Sequence, residues 1–172
     1  MPNPRGLLIH DQLLERIIDQ AFDHKSWHGT NLRGSFKGLT AEEAAWRPGL
    51  QRHNIWEIVL HAAYWKYAVA RRLLSEKRGA FPAKGSNWFV RPSDGISEEA
   101  WRADVRLLID MHATLKAAIS RLTPKAVASI APGSKVRNLD LITGIAAHDL
   151  YHAGQIQLLK RLLSGSSTVR IS

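Results

Sequence analysis

Two histidines one helical turn apart, in His148-Asp-Leu-Tyr-His152, are the strongest chemical signal in the chain. At i and i+4 they share one face of a helix. They also lie on an apolar stripe, Leu141, Ile145, His148, His152, Ile156, Leu159 and Leu163, which should face a core. Imidazoles in an apolar setting need polar partners. A hydrogen-bonded core network would serve, and so would a divalent cation, which takes a lone pair from each ring. A third ligand must come from another helix. His61, flanked by Ile58, Ala62 and Trp65 in mid-helix, is the candidate. Three imidazoles plus one open position is a common catalytic arrangement for zinc. Nickel suits the same donors, and copper, iron and manganese remain open.

Other residues could support such a site. Glu57 precedes His61 by one turn and could orient its imidazole or act as a base; it could equally close a capping box with Asn54. Gln155 can reach the pocket, and Tyr151 is expected between helices with its hydroxyl free for a substrate. Asp149 is expected to face solvent. His112, on the core stripe of another helix, reads as a hydrogen-bonded core histidine, with a pocket-lining or fourth-ligand role as the alternative. His10, His24, His28 and His53 fall near helix ends or loops and are expected at the surface. There is no cysteine, so disulfides, thiolate ligands and a cysteine nucleophile are excluded, and any thiol must come from outside.

Four long helices must position these groups. The first is expected from about Leu7 to Trp27, on a stripe of Leu13, Leu14, Ile17, Ile18, Ala21 and Phe22. Thr40 to Glu43 reads as a capping box opening a short extra helical turn before Pro48. The second long helix is capped by Asn54 and reaches about Glu76. A glycine- and proline-rich loop follows from Gly79 to Ser97, and its Phe81, Trp88 and Phe89 suggest a segment that packs down, over a pocket mouth or a bundle end. The third helix starts after Ser97, carries Trp101, Val105, Leu108, His112, Leu115, Ile119 and Leu122, and is stopped by Pro124. The fourth runs from about Leu139 to Leu163, with a Ser/Gly-rich tail at 164–172 expected to be flexible. Trp56, Trp65 and Trp101 are expected in the core or a dimer interface. The pattern is an all-α four-helix bundle in one domain, residues 1–163.

At 172 residues and 45% apolar content, one core suffices. No apolar run could span a bilayer, and the N-terminus does not read as a secretion signal, so the expected location is the cytoplasm. The net charge of +9 favours anionic partners. The basic residues are scattered, however, and no DNA-binding motif is seen, which places nucleic acid well behind small anions.

Asn54-Ile-Trp-Glu-Ile-Val-Leu-His61 followed by His148-Asp-Leu-Tyr-His152-Ala-Gly-Gln-Ile resembles the DinB-like family, from the first helix to about Leu163. The resemblance implies a four-helix bundle of the DinB/YfiT-like type, often a homodimer, with metal ligands at His61, His148 and His152. Some relatives look like thiol-dependent transferases, so it also implies a metal-dependent S-transferase or related hydrolase working with a low-molecular-weight thiol and an electrophile. The alternative is a non-catalytic, metal-stabilised module.

Overall fold

The computed structural model describes residues 4–77, 79–91, 93–131 and 134–168. Four long helices account for most of it: α1 (Pro4–Phe22), α4 (Ile55–Leu73), α5 (Glu98–Ile119) and α7 (Asn138–Thr168). Short helices α2 (Leu32–Ser35), α3 (Ala41–Ala45) and α6 (Pro124–Ala128) sit in the connections. No strand occurs among the described residues, so the chain is all-α as expected. No described helix is long and apolar enough to cross a membrane.

Local chemistry sets the boundaries. Asn31, Thr40, Asn54, Ser97 and Thr123 each accept a backbone N–H with the side-chain oxygen and open the helix that follows. The capping box at Thr40 and Glu43 is complete. At Asn54 only half of the expected box forms, because the Glu57 carboxylate is drawn to Arg47 and His53 instead. The first helix stops at Phe22, not near Trp27, and the amides of Asp23 and His24 both close on the Asp19 carbonyl. Pro124 does not stop the third helix, which ends at Ile119. It occupies the first turn of α6, where its missing N–H costs nothing. The last helix continues past Leu163 to Thr168; residues 169–172 of the expected tail lie outside the described ones, as does the side chain of His10.

α4 packs against both α5 and α7, while α1 and α2 pack on α7. One apolar cluster gathers Leu32, Phe36, Trp56, Leu60, Trp101, Leu108 and Ile156. A second joins Leu14 and Ile18 of α1 to Val69, Leu115, Ile142 and Ile145. Two polar pairs are set into this interior. Asp104 accepts from the Trp56 indole (2.7 Å) and from Arg91, which ties the end of the α4–α5 loop to α5. Lys66 of α4 and Asp149 of α7 form a fully buried ion pair. Asp149 is therefore not a solvent residue. It shares the inward face of α7 with Ile142, Ile145, Ala146 and Ala153, and the Lys66 ammonium makes that burial tolerable.

Candidate metal centre

α4 and α7 place His61 and His152 in the interior, and His148 is half-buried between them. The His148 Nε2 lies 3.1 Å from the His61 Nε2 and 3.1 Å from the His152 Nε2. On the far side of two rings the proton is assigned by an acceptor. The His61 Nδ1–H donates to the Asn87 carbonyl at 2.7 Å, and the His152 Nδ1–H donates to the Gln155 Oε1 at 2.7 Å. Both Nε2 atoms are then bare lone pairs turned toward His148. A single proton on His148 can satisfy only one of them, and the His148 Nδ1 is buried with no partner. Without a cation the cluster is left short of donors.

A divalent cation meets that deficit. The 3.1 Å spacing is near the roughly 3.3 Å edge of a tetrahedron whose centre-to-nitrogen distance is about 2.0–2.1 Å. Burial pushes the His148 and His152 imidazoles down to about 3 and about 4, with the neighbouring rings adding to the shift at both, and lowers His61 as well. All three are neutral at physiological pH, the form that ligates. His61, His148 and His152 form a group that could hold a metal ion.

The α4–α5 loop covers this group. Trp88 is sandwiched between His61 (ring centroids 3.9 Å, planes 10° apart) and His53 (3.6 Å, 6°). Asn87 adopts a left-handed backbone (φ 68°), which asparagine tolerates well. That turn aims its carbonyl at His61 while its side-chain oxygen accepts from the Trp65 indole at 2.8 Å. The loop thus packs down onto the histidines.

Comparison with known proteins now bears on this geometry: the family model for the DinB superfamily matches residues 25–156. The chain belongs to the DinB superfamily. The matched stretch holds all three histidines of the DinB centre and leaves α1 and the last turns of α7 outside it. No curated protein and no solved structure matches the chain.

The remaining expected residues divide. Gln155 is in the DinB site through His152, and its amide nitrogen also donates to the Tyr151 hydroxyl (3.1 Å). Tyr151 is not packed between helices: it is 64% exposed, with its ring 5.2 Å from His152 at the rim. The Glu57 carboxylate is held by Arg47 and by His53 at 2.9 Å. Burial alone would raise its pKa, but those two partners outweigh it and keep it below the ordinary value. Glu57 reaches His61 only through the His53–Trp88 stack. His112 is neither with the three histidines nor hydrogen-bonded. His53 is indeed solvent-exposed, yet it stacks over the site, a role its position alone did not suggest. Asn87 was missed altogether; the Gly-Ser-Asn run in the loop was the available signal for a left-handed turn.

Proposed function

We propose that this DinB-superfamily chain is a metal-dependent enzyme that uses the three-histidine site to transfer an external low-molecular-weight thiol to an electrophile, or to carry out a related hydrolysis. The observation behind this reading is the convergence of three imidazole Nε2 atoms, two of them stripped of their proton by the acceptors on Nδ1. Three protein ligands leave a position open, as in catalytic rather than structural zinc sites. A divalent ion bound there, zinc or nickel by preference, supplies one thing: it favours the anionic form of a coordinated thiol or water near neutral pH.

The chain's own groups do the rest. Gln155 and the Asn87 carbonyl fix the two ring orientations. Tyr151, exposed and tethered through Gln155, offers a hydroxyl to a substrate at the rim. Glu57 holds His53 against Trp88, and that stack shields the His61 side of the site from water. The absence of cysteine suits a thiol brought by the substrate, and the +9 charge favours encounter with anionic thiols. A homodimer is proposed as well. Leu158 and Leu162 form an exposed apolar pair along α7, which a second copy could cover while leaving Tyr151 open to a substrate; light scattering in solution tests it.

The deciding experiment is metal content by mass spectrometry on native protein beside His148→Ala/His152→Ala, followed by turnover of an electrophilic probe with several thiols. Metal present in the native chain, lost in the double variant, and a metal-dependent rate with at least one thiol are expected. Metal without any rate would leave the alternative reading, in which the ion only joins α4 to α7.

A further inference from the structure

His112 is the buried histidine that the three-histidine site does not use. It is 5% exposed on α5, with its ring stacked on Phe22 (3.8 Å, 19°). Neither ring nitrogen has a hydrogen-bond partner. A buried orphan of this kind calls for a ligand or a water. The Asp19 Oδ1 lies 3.8 Å from the His112 Nε2, too far for a hydrogen bond. Asp19 lies in the last turn of α1, and Asp23 follows one turn later, just past the helix end. One ligand atom from each of Asp19, Asp23 and His112 falls within 4.8 Å of the other two.

We propose that Asp19, Asp23 and His112 form a second divalent-cation site, which ties the end of α1 to α5 and is chemically distinct from the three-histidine centre. Two carboxylates supply the charge that neutralises a divalent ion, and the buried imidazole supplies the third donor. Oxygen-rich ligation favours harder cations such as Mn²⁺, whereas three imidazoles favour zinc, nickel or copper. Side-chain cations now sit on the carboxylates: Lys116 Nζ is 2.7 Å from the Asp19 Oδ1, Arg33 is 3.3 Å from Asp23, and the His24 Nδ1 is 2.8 Å from Asp23. None of them reaches His112, so they leave its deficit unfilled. All three are at least one-third exposed and can turn to solvent when an ion enters. Asp23 and Arg33 line an open groove of about 1130 Å³ beside α2 and α5, so the Asp23 side of the site faces open space. Asp19 and Asp23 precede the stretch matched by the family, so family membership does not imply this site.

The test uses full-length chain stripped with chelator and titrated with Mn²⁺ alone, free Mn²⁺ being counted by electron paramagnetic resonance. The His148→Ala/His152→Ala variant should still bind one Mn²⁺. His112→Phe, which keeps the stack on Phe22, and Asp23→Asn should each lose that ion while zinc binding at the three histidines persists. Lys116→Met should bind Mn²⁺ several-fold more tightly, because a competing cation is gone; a purely structural role for Lys116 would not produce that. If His112→Phe does not fold, Asp23→Asn, a surface change, carries the same comparison. Absence of Mn²⁺ binding in the His148/His152 double variant, or equal binding by wild type and Asp23→Asn, overturns the proposal. Mn²⁺ bound at this site with no metal at the three histidines would sink the enzymatic reading and leave the second site standing.

Discussion

The proton on His152 decides which of its nitrogens faces the site, and Gln155 holds that proton on Nδ1. Loss of such an orienting acceptor typically costs 10–100-fold in metal affinity. Gln155→Ala should therefore weaken metal binding by about that factor while the fold is retained; competition with a chromophoric chelator measures it, and unchanged affinity would show that the ring is oriented by packing alone. At this scale much was legible. The i, i+4 spacing on an apolar stripe pointed to His148 and His152, and Gln155 lies one turn further along the same helix, near His152. Asn87 and His53 were not legible as site residues, because a loop delivers them and periodicity says nothing about loops. Asp149 was misread for a different reason. A carboxylate is assigned to solvent by type, and its partner Lys66 is 83 residues away.

α4 and α7 are joined next to the site by two devices, the histidine cluster and the Lys66–Asp149 pair, which lies one residue from His148. Burial raises the Asp149 pKa, and the adjacent ammonium works against that rise, so the carboxylate depends on Lys66 to stay charged. Removing one partner of a buried pair typically costs about 3–5 kcal/mol, whereas replacing both with apolar groups is often near neutral. Lys66→Met should destabilise by that amount. Lys66→Met/Asp149→Leu should recover most of it, as read from denaturant unfolding of metal-free protein. Equal loss in the single and double variants would mean the pair contributes a net attraction well beyond its desolvation cost. The helix pattern itself was readable because amphipathic stripes and N-caps are local. Helix ends were less so: α1 stops early through a closure on the Asp19 carbonyl, and Pro124 proved to be a start rather than a stop.

For the whole molecule, the buried histidines couple folding to pH. Burial lowers His61, holds His112 and His148 near 3, and holds His152 near 4, against an ordinary value of 6.5. Below 6.5 the unfolded chain takes up protons that the folded chain refuses. Stability is thus complete above 6.5 and falls as the pH drops toward 3–4, where the folded histidines begin to titrate. Each such histidine contributes at most about 1.4 kcal/mol per pH unit in that window, and partial exposure of His148 reduces its share. Protons accumulating on a chain already at +9 add self-repulsion in the same direction. Metal-free protein should therefore lose stability steadily from pH 6.5 to about pH 4, and metal-loaded protein should fall more steeply, because protons also displace the ion from its imidazoles. His112→Phe removes one titrating group outside the three-histidine centre and should flatten the metal-free slope while leaving in place the additional slope that zinc at the three histidines provides. Denaturant midpoints at several pH values, with and without chelator, resolve the two contributions. A flat metal-free profile between pH 7 and 5 would mean that these imidazoles are solvated in the folded chain, and the argument for a dry, lone-pair-rich centre would fall with it.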